Sequence, residues 1–147
     1  MAFDGTADYT LDAKNRLNVP ARFRDLLQDG VVLAKSTDPC VQIWPREAYE
    51  AHRRSIIGQL NPGGQQATMA KRFFAANSHP TELDSAGRVM VPPFLMDHAT
   101  LGKEVTVIGA DDHLEVWDRQ AWTTYNEKLT AEILALSESF DAAGPAA

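Results

Sequence analysis

Only one cysteine, Cys40, occurs in the 147 residues. A lone thiol makes no internal disulfide and no cysteine-based metal site, so a small buried core role is expected for it. No apolar run approaches the roughly 18 residues that a membrane helix requires. Met1 to Tyr9 carries Asp4 and Asp8 and lacks an apolar core, so no secretory leader is expected there and a cytoplasmic location is. The four histidines, His52, His79, His98 and His113, include no i, i+4 pair and none at ligand spacing from Cys40, which argues against zinc. Gly63-Gly64 lacks the Gly-Lys-Ser/Thr of a phosphate loop. Ser55, Ser78 and Ser85 lie in no Gly-x-Ser-x-Gly elbow. The expectation is therefore a protein that is not an enzyme, with no cofactor and no metal. Composition is that of a soluble globular chain, 44% hydrophobic and 23% charged.

Charge is present but unevenly spread. The total is −6. Residues 1–75 hold ten Lys/Arg and eight Asp/Glu, net +2; residues 76–147 hold four and twelve, net −8. The sharpest basic stretch is Lys14, Arg16, Arg22 and Arg24, offset within residues 12–24 by Asp12. Such asymmetry points to a charged partner.

The chain repeats itself. Leu11-Asp12-Ala13-Lys14-Asn15-Arg16-Leu17-Asn18-Val19-Pro20 aligns without a gap on Leu83-Asp84-Ser85-Ala86-Gly87-Arg88-Val89-Met90-Val91-Pro92. Farther on, Ile43-Trp44-Pro45-Arg46 parallels Val116-Trp117-Asp118-Arg119. Three segments follow: a first repeat at 1–62, a linking helix at 63–77, and a second repeat at 78–147 with a C-terminal helix and a short, frayed tail from Asp141.

Each repeat reads as the same series of elements. A strand enters an Asp-x-x-x-Arg turn, where Asn15 and Gly87 hold the position that needs positive φ. A short alternating strand leaves it, with Leu17 and Val19, or Val89 and Val91, on one face. Pro20 and Pro92 suit the first turn of a short helix. Two strands follow as a hairpin, Val31–Lys35 with Val41–Trp44, and Glu104–Gly109 with His113–Trp117. A longer helix closes each repeat. Pro45 opens the first, and Tyr49, Ile56 and Leu60 form its stripe. Asp118 is the N-cap of the second, whose stripe is Trp122, Tyr125, Leu129, Ile133 and Leu136. Gln65–Ala76 reads as the link, with Met69, Phe73 and Phe74 apolar. Trp44 and Trp117, equivalent in the repeat, suit the core. Asp12 and Asp84, each four residues before an arginine, suit local ion pairs.

The doubled Leu-Asp-x-x-x-Arg-x-x-Val-Pro motif, each copy ending in Ile-Trp or Val-Trp, resembles the MraZ family of bacterial transcriptional regulators over about Ala2 to Leu129. The resemblance implies an α+β fold of two tandem β-α-β half-units, interlocked within one chain as a swapped-hairpin, AbrB-like barrel with flanking helices. It implies a ring-shaped homo-oligomer that binds double-stranded DNA at short direct repeats. The implied role is repressor of the division and cell-wall gene cluster, including its own operon, in association with the nucleoid. Carried over residue by residue, Arg16 is the principal DNA contact, with Lys14 and Asn15 on the same turn. Arg22 and Arg24 are phosphate holders on the next short helix. Arg88 is the weaker second-repeat counterpart, and Asp12, Asp84 and Gly87 form the turns. The family's usual glycine before the motif arginine is present as Gly87 but replaced by Asn15, which leaves open whether Asn15 touches DNA. An AbrB-like antitoxin or protein-interaction module without operator binding is the alternative that shares the fold.

Overall fold

The computed structural model describes residues 2–143. Its eight strands and four helices follow the doubled order of the sequence: β1 Thr6–Thr10, β2 Arg16–Asn18, β3 Val31–Lys35, β4 Val41–Pro45, α1 Arg46–Gly58, α2 Gln65–Ala76, then β5 Ser78–Thr81, β6 Arg88–Met90, α3 Pro93–Ala99, β7 Glu104–Gly109, β8 Leu114–Asp118 and α4 Arg119–Ala143. Strands β1, β7, β8, β4, β3 and β5 form one sheet in that order, and β2 with β6 form a separate two-stranded ribbon. Every pairing is antiparallel.

The order of strands is the swap. Strand β1 of the first repeat pairs with β7 of the second, and β5 of the second pairs with β3 of the first. Each repeat thus lends its opening strand to the other's hairpin, and the two hairpins join at β4 and β8. The architecture is mixed α+β with interlocked half-units. The expected barrel is not closed: β1 and β5 stand at opposite edges, with no pairing between them among the described residues. The ribbon is held instead by side-chain packing and a few backbone bonds, because three-residue strands offer few ladder positions.

Hydrophobic alternation explains the layers. Val31, Leu33, Val41, Ile43, Val105, Val107, Leu114 and Val116 point to one side of the sheet. There they meet Leu17 and Val19, Val89 and Val91, Phe23, Leu27 and Leu95 from both repeats. The opposite side is covered twice. Val32, Ala34 and Trp44 pack under Tyr49 of α1 and Phe74 of α2, while Cys40, Ile108 and Trp117 pack under Trp122 and Tyr125 of α4. The central strands are therefore buried on both faces, which accounts for near-continuous apolar runs such as Val31-Val32-Leu33-Ala34. Cys40 is fully buried, and burial raises its thiol far above the ordinary range. Trp44 and Trp117 sit in the core as expected. Trp44 also stacks between His52 and His113, whose rings lie 4.6 and 4.4 Å from its own.

Several boundaries differ from the sequence expectation. Pro20 and Pro92 are not inside a helix but stand just before one, as extended N-cap residues. A proline's missing N–H and restricted φ suit either place, and Pro93 takes the first helical position in the second repeat. In the first repeat the helix is replaced by two 3-10 turns, Ala21–Phe23 and Asp25–Leu27, burying Phe23 and Leu27. Pro45 ends β4 instead of opening α1, and β8 begins at Leu114, one residue later than expected. Asp118 does cap α4, its carboxylate accepting the Ala121 N–H at 3.1 Å. Helix α4 continues through Asp141 to Ala143, so the expected fraying is not seen over that stretch; Gly144 to Ala147 lie outside the described residues. The apolar stripe of α4 also splits. Trp122, Tyr125 and Leu129 are half-buried, while Ile133 and Leu136 are exposed together with Leu134 and Phe140.

Candidate functional site

The two Asp-x-x-x-Arg turns have nearly the same internal geometry. In the first, Asp12 Oδ1 accepts the Lys14 and Arg16 N–H groups, both at 2.9 Å, and Oδ2 accepts Arg16 Nε at 2.6 Å. In the second, Asp84 Oδ1 accepts the Ala86 and Arg88 N–H groups at 3.0 and 2.8 Å, and Oδ2 accepts Arg88 Nε at 2.8 Å. An aspartate that bonds its own downstream backbone is a strong turn former. The turns close only because Asn15 and Gly87 adopt φ of 57° and 76°; asparagine enters this left-handed region more readily than other side chains.

These bonds favour the charged carboxylates. The Arg16 N–H, followed by the Arg16 side chain and the Lys14 N–H, outweighs desolvation and holds Asp12 at about 2. Asp84 is lowered for the same reasons, led by the Arg88 N–H. Folded-state pKa values below those of the unfolded chain mean that the turns stabilise the fold above pH 3.8 and lose that contribution as pH falls toward 2. Carboxyl NMR titration is expected to place the Asp12 midpoint near 2; a midpoint at the ordinary 3.8 would refute the capped turn.

The ribbon then brings the two turns together. Arg16 lies opposite Met90, Leu17 opposite Val89, and Asn18 opposite Arg88. Leu17 and Val89 face the core, so Arg16 and Arg88 share the outer face as diagonal neighbours, within reach of each other's long side chains. Reciprocal backbone bonds lock the pair: Val19 N–H to Gly87 C=O at 3.0 Å and Val91 N–H to Asn15 C=O at 2.9 Å. In both arginines the aspartate engages Nε. The two Nη groups make no protein hydrogen bond among the described residues, which leaves a pair of donors available to an outside acceptor.

The surroundings of the turns differ. Lys103, immediately before β7, donates its Nζ to Asp12 C=O at 3.0 Å and to Asn15 Oδ1 at 2.7 Å. The first turn thus gathers Lys14, Arg16 and Lys103 against Asp12 and against Asp97, which lines the cleft beside Asn15, a local balance of +1. The second turn borders a shallow cleft lined by Arg24, Asp25, Glu82, Asp84 and Gly87; with Arg88 its balance is −1. Arg24 is committed there, its Nε donating to Val19 C=O at 3.0 Å while the side chain lies over Gly87. Arg22 is engaged elsewhere: Nη2 donates to Asp4 C=O at 2.9 Å, and the guanidinium covers the Phe23 ring at 4.5 Å. Arg16, Lys14, Asn15 and Arg88 therefore come together, whereas Arg22 and Arg24 serve chain segments around them. Lys103 was not found from the sequence. Its nearest motif partner is 88 residues away, and only the β1–β7 pairing delivers it, with the Leu11 N–H bonded to Lys103 C=O at 2.8 Å.

Two half-units that exchange strands and present paired arginine turns on a central ribbon define a tandem AbrB-like protein. The chain belongs to the MraZ family. The family model described as "MraZ protein, putative antitoxin-like" matches twice, at residues 2–73 and 74–141. A "Transcriptional regulator MraZ" of Mycoplasmoides gallisepticum is 37% identical over 139 residues, covering 95% of this chain and 97% of that one. Proteins of the same name from Cutibacterium acnes and Mycobacterium bovis are each 40% identical, covering 85% of this chain and 87% of theirs. No helix among the described residues is long and apolar enough to cross a membrane.

Proposed function

We propose that this protein is a DNA-binding transcriptional regulator that reads DNA through the first-repeat turn. The observation that carries this reading is the concentration of Lys14, Arg16 and Lys103 around Asp12 on an exposed turn, in a chain whose total charge is negative. Arg16 is the base reader. Its two Nη donors match O6 and N7 of a guanine, while Asp12 orients the side chain through Nε. Lys14 and Lys103 attract phosphates, and Asn15, whose amide oxygen is held by Lys103, positions the turn. Arg22 and Arg24 support the fold around the site and supply positive potential. Arg88, beside Glu82 and Asp84, has the lesser part.

The family resemblance extends this reading to a repressor of the division and cell-wall gene cluster, including its own operon, acting at the nucleoid. Short G-rich direct repeats suit a ring-shaped homo-oligomer that presents one first-repeat turn per subunit. Linked sites raise effective concentration, which offsets the handicap of a subunit whose total charge is −6.

Fluorescence anisotropy with the DNA upstream of the protein's own gene tests the proposal, with a scrambled duplex and a salt series alongside. Tight binding to the native duplex alone is expected, weakening by about 0.9 in log–log slope per phosphate neutralised. Equal, weak binding to both duplexes would overturn it in favour of a protein-interaction module. Within the same assay, Lys103→Met is expected to weaken binding to both sequences alike and to reduce the salt slope by about one per engaged subunit.

A further inference from the structure

The outer face of the β2–β6 ribbon carries four side chains, and two of them have no part in the site described above. Arg16 and Asn18 come from β2, Arg88 and Met90 from β6. The pairing sets Arg16 opposite Met90 and Asn18 opposite Arg88. Both strands repeat one burial pattern of half-buried, buried and exposed residues. Each arginine is drawn in by its aspartate, while Asn18 and Met90 stand farther out. Asn18 is exposed, and its side-chain amide makes no hydrogen bond among the described residues. Met90 is 49% exposed and is the apolar member of the four.

Folding does not account for either residue. Leu17 and Val89 supply the core contacts of the ribbon, and the reciprocal bonds of Val19 and Val91 fix its register. Asparagine is poorly suited to a strand, yet it occupies one here with its amide free. Two guanidinium groups offer donors only. Asn18 adds an acceptor beside them, and Met90 adds an apolar surface.

The dimensions of the ribbon fit a DNA groove. Two residues of an antiparallel strand advance about as far as two base steps of a DNA strand, each about 3.4 Å. The major groove, about 12 Å wide, admits a two-stranded ribbon. There an asparagine amide can bond N6 and N7 of adenine together, and an apolar side chain can cover the thymine methyl group.

We infer that Asn18 and Met90 are specificity-determining residues that extend base reading beyond guanine. Asn18 takes an adenine two base steps from the guanine of Arg16. Met90, across the ribbon from Arg16, covers the methyl group of a thymine beside that guanine. The inference rests on the DNA reading proposed above and adds A·T pairs to what the ribbon recognises.

Anisotropy titration of the full chain tests it, with duplexes of the DNA upstream of its own gene that carry single replacements. Adenines are replaced one at a time by 7-deazaadenine, and thymines by deoxyuridine. Each replacement keeps base pairing and deletes one group, the N7 acceptor or the methyl. Wild type is expected to lose at least about threefold in affinity at a set of adenines and at a set of thymines. Asn18→Ala is expected to become indifferent to deazaadenine while still sensing the thymine methyl groups, and Met90→Ala to show the reverse. Both positions are exposed, and circular dichroism checks that each variant stays folded. A residue that only shaped the ribbon would weaken binding to modified and unmodified duplexes alike, and that result would overturn the assignment. So would a wild type that ignores every replacement while still preferring its native duplex to a scrambled one. A wild type without that preference would refute the regulator reading as well.

Discussion

Arg16→Ala is expected to abolish sequence-specific DNA binding while leaving the protein folded. The expected loss is at least about 100-fold in affinity for the native upstream duplex, with little change for a scrambled one. A bidentate arginine–guanine contact carries about 1–3 kcal/mol of discrimination, and an assembly that engages several turns together loses that amount at each. The fold is spared for a local reason. Asp12 still accepts the Lys14 and residue-16 N–H groups, so the turn closes without the guanidinium. The pair itself is partly exposed, with side chains 29 and 35% accessible, so solvent screens it and its loss costs the fold little. Arg88→Ala is expected to weaken binding less than tenfold, because three carboxylates surround the second turn. Anisotropy titration paired with thermal melting separates the outcomes. Equal losses in the two variants would reject the asymmetry, and unchanged binding in both would reject the ribbon as the reading surface.

The largest effect on stability is expected far from that ribbon, at Gly109. There the N-terminal strap crosses the end of β7. Phe3 exchanges two backbone bonds with Asp111, at 2.7 and 3.1 Å, and the Gly109 N–H bonds Gly5 C=O at 2.8 Å. A Cβ at Gly109 would overlap the Phe3 carbonyl and the Asp4 nitrogen. Both are backbone atoms, so no rotamer change relieves the clash and the strap must move. Moving it draws out Phe3, which is fully buried with its ring 5.2 Å from that of Phe23. Removing a buried Phe side chain costs about 3–5 kcal/mol, which bounds the effect. Gly109→Ala is expected to cost about 3 kcal/mol and to lower Tm by roughly 10 °C. Gly58→Ala is the control. Nothing lies within 4 Å of its added methyl, and the position is helical, so a gain of about 0.5 kcal/mol is expected. Equal behaviour of the two variants in calorimetry would show that the strap is not fixed by Gly109.

Local pattern already contained the turns. An aspartate with an arginine four residues on, and an asparagine or glycine between them, needs only its own few residues to close, so both motifs and their ion pairs could be read directly. Apolar runs bounded by turn residues placed β3 and β7 at the observed limits, and the Asp118 cap located the start of α4. Trp44 and Trp117 were legible as core because the repeat put them in equivalent positions. The misplaced boundaries were those where two short-range preferences compete, as at Pro20 and Pro92, which serve equally before a helix or at its start.

Composition, motif and repeat thus determined the element order, the two arginine turns and the family. Which strand joins which hairpin was decided only in three dimensions. The partners of β1 lie almost a hundred residues away, and nothing local distinguishes a hairpin's own strand from its twin's. That choice rests on shared burial of both repeats in one core. It also brings Lys103 to Asn15, sets Arg16 and Arg88 on one face, and leaves the outer half of α4 uncovered. Contacts formed across such separations depend on the whole packed chain, and therefore the balance of charge around each arginine, which distinguishes the two turns, is a property of the tertiary structure.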